Sequence, residues 1–210
     1  MSKLERNWQY AEQYPGETEA IAHARRLSLE LGIEPVGLSV GAHLSALAVL
    51  SAAKSICEVG TGVGVSGLSL LRYADEAMLT SIELEAEHLR EAKRVFAEAG
   101  IPASHLRLIE GDARHVMPRL NTSAYDLVLL HADPLQLLEH FEHALGIVRP
   151  GGTILVPDAF SRGRVPDPAS RDEGTQNMRD LLALVADSPA IAPALSPAGD
   201  GLLTLVRLDG

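Results

Sequence analysis

The sequence is short of cysteine, of positive charge and of long apolar runs. Cys57 is its one cysteine, so no disulfide can form within the chain, and a buried structural thiol is the expected reading. Lysine and arginine number 18 against 28 acidic residues, for a formal net charge of −10. That balance argues against a nucleic-acid partner, whose binding rests on neutralised phosphates. No run reaches the roughly 18 apolar residues of a membrane span. The first 19 residues are charged and polar, without the apolar segment of a signal peptide. Neither an internal repeat nor a long linker is visible. With 46% apolar residues in 210, a full core can be buried, and the expectation is one cytoplasmic domain over 1–210, with a helical segment (1–53) ahead of a core (54–210).

What the chain does have is a regular alternation of short apolar runs and amphipathic stretches. Residues 17–31 and 38–53 read as helices, the second largely apolar through Leu44, Leu47, Ala48 and Leu50. Strands are expected just before residue 60 and over 78–84, 106–110, 125–130 and 153–156; the run at 125–130 suits burial on both faces of a parallel sheet. Between them, helices are predicted over 86–99, from Asp112 to about Leu120, and from the Asp133-Pro134 start to Pro150-Gly151-Gly152. The last of these would turn Leu138, Phe141, Leu145 and Val148 inward, while His140 and His143, flanked by Glu139 and Glu142, read as a solvated face. A loop over 158–170, a helix around 177–186 and a β-hairpin from 192–197 and 202–208 complete the pass. The pattern is α/β: a mostly parallel sheet with helices on both faces and an antiparallel edge. Ligands in such sheets bind beyond the carboxyl ends of the strands, where Glu58, Glu83, Asp112, His131, Asp133 and Asp158 all fall.

The most informative stretch is Ile56-Cys57-Glu58-Val59-Gly60-Thr61-Gly62-Val63-Gly64-Val65-Ser66-Gly67. It is a short strand running into a glycine turn that opens a helix, so backbone N–H groups face whatever binds there. Two cofactors compete for the turn. Gly62, Gly64 and Gly67 have the G-x-G-x-x-G dinucleotide spacing, with acidic Glu83 roughly 20 residues on. Glu58, two residues before Gly60, favours S-adenosylmethionine instead. That ligand has no pyrophosphate; a carboxylate at the strand end can anchor its cationic end, and a second, Glu83, can take both ribose hydroxyls.

Five segments in order, Gly41-Ala42-His43-Leu44, E-V-G-T-G-V-G-V-S, S-I-E at Glu83, E-G-D-A over 110–113 and R-P-G-G over 149–152, carry a resemblance to a known family. The loop Gly163-Arg164-Val165-Pro166-Asp167-Pro168 and the closing Gly199-Asp200-Gly201-Leu202 extend it. The chain resembles the S-adenosylmethionine-dependent O-methyltransferases that include catechol and caffeoyl-CoA O-methyltransferases. The resemblance implies a Rossmann-like class I methyltransferase sheet of seven strands, a small-molecule methyl acceptor and a homodimer. It places Val36, Glu58, Gly60, Thr61, Ser66, Glu83 and Asp133 at cofactor-contact positions, with Asp112 and Ala113 by the adenine.

The chain departs from that family at the chemistry. The family's metal triad reads here as His131, Asp158 and Ala159, and its lysine as Pro134. One carboxylate and one imidazole suit a hard cation poorly, so no metal is expected. His131 is then the candidate general base, as the side chain suited to accept a proton near neutral pH, with Asp158 beside it as the other catalytic candidate. Arg162 or Arg164 is a candidate to position an anionic acceptor. Open alternatives are a cofactor-binding homologue without catalysis and a nicotinamide-dependent oxidoreductase.

Overall fold

A computed structural model describes residues 2–209. Seven strands form one sheet in the order β3-β2-β1-β4-β5-β7-β6: β1 (Ser55–Val59), β2 (Met78–Glu83), β3 (Leu106–Glu110), β4 (Tyr125–Leu130), β5 (Val148–Pro157), β6 (Ile191–Ser196) and β7 (Leu202–Arg207). The first five run parallel, and β7 lies antiparallel between β5 and β6. This is the Rossmann-like arrangement the alternation predicts. The chain winds outward from β1 through β2 to β3, then returns to place β4 on the other flank of β1. That reversal opens a crevice above the tips of β1 and β4.

Alternation along each strand splits the core between the two faces of the sheet. Ile56, Leu79, Leu127, Leu129 and Leu155 face α2 (Glu19–Glu30), α3 (Leu38–Leu50), α4 (Val65–Leu71) and α5 (Ala86–Glu98). Cys57, Val59, Val128, Leu130, Ile154 and Val156 face α6 (Ala113–Val116), α7 (Leu137–Ile147) and α8 (Glu173–Ala186). The Cys57 thiol is buried there and desolvation pushes it far up, which makes it inert as a nucleophile.

Four boundaries differ from the sequence expectation, each for a local reason. Residues 3–13 form α1 (Lys3–Gln13), started by a capping box in which Ser2 and Glu5 satisfy each other's backbone amides. It buries no residue, so no apolar stripe announces it. Second, α7 ends at Ile147 and Val148 already pairs with Tyr125 as β5. The Arg149-Pro150-Gly151-Gly152 stretch is a register shift within β5, not the end of a helix. Arg149 Nε pins it by donating to Asp126 at 2.6 Å, while the same carboxylate accepts the Lys54 and Ser55 amides. Third, Asp133 caps a 3₁₀ turn over Pro134–Gln136 before α7 begins. Fourth, α8 starts at Glu173 because Asp172 caps it, accepting the Thr175 amide at 3.0 Å.

Candidate functional site

A cleft of about 700 Å³ opens at the carboxyl ends of the parallel strands. The turn after β1 forms its floor. Gly60 has φ +90°, and a Cβ there would lie 1.8 Å from the His131 carbonyl oxygen, so only glycine lets the turn press against the tip of β4. Gly67 serves packing: a Cβ would meet Phe96 Cζ at 2.7 Å. Gly62 donates its backbone N–H to Glu83 Oε2 at 2.8 Å, and Glu85 donates to Oε1 at 3.0 Å. These bonds aim the Glu83 carboxylate into the cleft it lines.

Glu58, expected to anchor the cofactor's cationic end directly or through water, stands behind the cleft surface. It is 0% exposed and does not line the cleft. Its oxygens accept from Ser66 Oγ at 2.6 Å and Ser81 Oγ at 2.5 Å. Ser81 Oγ also lies 2.6 Å from Thr61 Oγ1, and since its proton goes to Glu58, Thr61 is the donor. Burial outweighs these bonds and pushes the carboxyl up to about 7. Glu58 is thus the buried anchor of a hydroxyl relay, while Thr61 and Ser66 present its outer end to the cleft.

The other predicted positions converge on the same cleft. Val36 reaches it from the segment before α3, where its carbonyl accepts from Arg25 Nη1 at 2.6 Å. Asp112 and Ala113 enter from the tip of β3. Asp112 caps α6 and binds Arg114 Nη2 at 2.6 Å, and the guanidinium holds its carboxyl down to about 2. Asp133 stands at the rim, its Oδ1 accepting the Leu135 amide at 2.9 Å. His131 Nε2 lies 3.0 Å from Asp158 Oδ2, joining the tips of β4 and β5. Asp158 holds a left-handed backbone, φ +55°, as do its loop neighbours Ser161 and Arg162.

Some of the residues that shape the site were not predicted. Ser81 could have been found: it sits opposite Glu58 in the strand register, two polar residues inside apolar strands. His140 reverses its expectation, being 3% exposed and lining the cleft instead of facing solvent. Arg162 lines the cleft too, but its guanidinium pairs with Glu34 across the mouth, and its amide donates to Asp200. Arg162 is therefore neutralised, and Arg164, bonded through Nε only to the Ser161 carbonyl, is the freer cation of the two.

The O-methyltransferase family model matches residues 15–208. A Mycobacterium tuberculosis (strain H37Rv) protein named "probable O-methyltransferase Rv1220c" is 43% identical over 207 residues, covering 98% of this chain and 92% of that protein. This chain belongs to the O-methyltransferase family. As a member of it, the chain has its strand–turn–helix corner explained without a dinucleotide, and the nicotinamide reading of Gly62, Gly64 and Gly67 is set aside. A Corynebacterium glutamicum crystal structure superposes with a TM-score of 0.90 at 29% identity, covering 100% of this chain and 99% of the other. The O-methyltransferase TomG from Streptomyces achromogenes, involved in tomaymycin synthesis and crystallised with S-adenosylmethionine, superposes at 0.85 with 27% identity over the full length of both chains.

Within this O-methyltransferase, the donors at the family's metal position do not fit a divalent cation. His131 and Asp158, hydrogen-bonded to each other, supply one imidazole and one carboxylate, and Ala159, fully buried, brings no donor. Among the described residues no cluster of three His, Cys, Asp or Glu side chains stands ready for a metal. No helix among them is long and apolar enough to cross a membrane.

Proposed function

We propose that this protein transfers a methyl group from S-adenosylmethionine to a hydroxyl of a small molecule without using a divalent cation. One observation carries the reading: a single cleft has Glu83 bonded to the glycine turn on one side and the His131–Asp158 pair on the other. Glu83 is suited to the ribose hydroxyls, and Asp112 and Ala113 to the base. Gly60, Thr61, Ser66 and Val36, with Glu58 behind them and Asp133 at the rim, suit the amino-acid end. When bound, the cofactor supplies a methyl group activated by its sulfonium.

His131 then has a defined task. Its Nε2 hydrogen is directed at Asp158, which leaves Nδ1 as the basic nitrogen to take the acceptor's hydroxyl proton. Asp158 orients the ring and stabilises the imidazolium that forms, as a carboxylate behind a histidine base does. The cleft walls hold the acceptor in line and exclude water. A homodimer working in the cytoplasm completes the proposal; Trp8 and Tyr10 on α1 and Tyr14 just after it are exposed for such an interface. Light scattering during size-exclusion chromatography reads its mass.

The loss of a donor at Ala159 also favours a second reading, a cofactor-binding protein without turnover. Calorimetric titration with S-adenosylmethionine and S-adenosylhomocysteine, then a screen of hydroxyl acceptors with and without EDTA, separates the two. Binding with EDTA-resistant transfer is expected. Transfer that EDTA abolishes would overturn metal independence, and absence of binding would overturn the cofactor.

A further inference from the structure

Nε2 of His140 is, among the described residues, the one buried side-chain nitrogen or oxygen with no hydrogen-bond partner. Its residue lies on α7 one turn after Leu137, and both line the cleft together with Ala113 of α6 and Met178 of α8. A buried polar atom in that condition costs about as much as a lost hydrogen bond, so a native site that keeps one calls for a partner. The charged groups around the ring are Asp112 and Arg114 on α6 and Glu139 on its own helix, with His143 one turn on. None of them bonds it, since Asp112 and Arg114 are taken up by each other. Burial pushes the imidazole down, toward its neutral form. A neutral imidazole carries one acceptor nitrogen and one donor.

The proposed cofactor brings a partner to this place. With its ribose at Glu83 on the tip of β2, its base would reach toward Asp112 and Ala113 at the tip of β3. There α6 and α7 pack together and present Ala113, Leu137 and His140 to one end of the cleft. We propose that His140 reads the cofactor's base: its imidazole accepts a hydrogen bond from the exocyclic amine of adenine and thereby selects adenine over hypoxanthine. This rests on the S-adenosylmethionine reading above. A 6-oxo purine presents an oxygen acceptor, which the imidazole meets only by moving its hydrogen from Nδ1 to Nε2, so the contact discriminates by the cost of that tautomer change and not by size.

Calorimetry of the wild type, His140→Phe and His140→Gln with S-adenosylhomocysteine and S-inosylhomocysteine tests it. The wild type is expected to prefer the adenosyl ligand about tenfold, the size of one neutral hydrogen bond won or lost. His140→Phe should bring the two ligands to near parity, and His140→Gln, whose amide can turn either its carbonyl or its NH₂ to the base, should bind both with little preference. An undiminished preference in His140→Phe overturns the proposal. Should that variant fail to fold, ¹⁵N-histidine spectra of the wild type decide. The His140 ring nitrogens are expected to shift when S-adenosylhomocysteine binds, and an unmoved resonance in the saturated protein overturns the proposal as well. Failure of the wild type to bind S-adenosylhomocysteine at all would instead overturn the cofactor reading beneath it.

Discussion

His131 and Asp158, 27 positions apart in the chain, are hydrogen-bonded at 3.0 Å where the tips of β4 and β5 meet. Parallel neighbours β4 and β5 bring the residues that follow them to the same edge, so the pair is a product of strand order. The bond sets Nε2 as the nitrogen that carries the hydrogen and leaves Nδ1 free. It also ties Asp158 into a left-handed backbone conformation that a non-glycine residue holds only under local constraint.

If His131 takes the acceptor's proton, His131→Ala should lower kcat by about 10²-fold, within the usual range for a lost general base. Asp158→Asn should cost at least as much, because an amide NH₂ turned to Nε2 puts the ring hydrogen on Nδ1, the nitrogen that has to stay basic. Steady-state kinetics on whichever hydroxyl acceptor turns over give both numbers. A fully active His131→Ala leaves positioning as the sole source of rate.

Glu83→Ala should weaken S-adenosylhomocysteine binding by about 10- to 100-fold, as expected for losing hydrogen bonds to a charged group. The variant also removes the acceptor of the Gly62 amide and so loosens the turn. Calorimetry measures the affinity; a change below twofold would show that the ribose does not meet this carboxylate.

Glu58 links stability to pH. Its folded value, about 7, lies above the ordinary 4.5 because burial disfavours the charged form. A raised carboxyl binds its proton more tightly when folded, so the stabilisation is complete below about pH 4.5 and is lost as pH rises through 7. Glu58→Gln has no such dependence. Its stability relative to the ligand-free wild type should therefore improve between pH 5 and pH 8 by on the order of 2–4 kcal/mol. Urea unfolding of both proteins at the two pH values reads the difference, and parallel curves would mean that Glu58 ionises normally.

Gly60→Ala should destabilise by several kcal/mol, roughly the sum of a forced left-handed alanine and a displaced β4 tip. A Cβ at Gly16 meets nothing within 4 Å, so Gly16→Ala is the control and should stay within about 0.5 kcal/mol of the wild type. Thermal unfolding with and without S-adenosylhomocysteine distinguishes lost stability from lost binding. An unchanged melting temperature in Gly60→Ala would mean that the turn can move away from His131.

Much of the architecture was legible in the order of residues, because period-2 apolar runs and capped amphipathic stretches report strands and helices directly. β3 and β4 match the expected spans, and the closing hairpin does so within a residue or two. The misses share a cause. α1 has no buried stripe, and the Pro150-Gly151-Gly152 segment carries turn residues that the structure uses as a register shift inside β5. His140 was read as solvated from its acidic neighbours. Helical geometry turns it about 100° away from Glu139, onto the buried side with Phe141 and Ala144.

By itself the sequence determined the sheet-and-helix alternation, the glycine corner and the family. Each of these is written in local pattern or residue identity. Only the tertiary structure decided that Glu58 stands behind the cleft on Ser66 and Ser81, that His131 is oriented by Asp158, and that Arg162 is neutralised by Glu34. It likewise decided that His140 turns an unpaired nitrogen inward. Such facts concern which side chains from distant segments share a hydrogen bond or a void. They follow from strand order, register and helix rotation, which no single stretch of the chain contains.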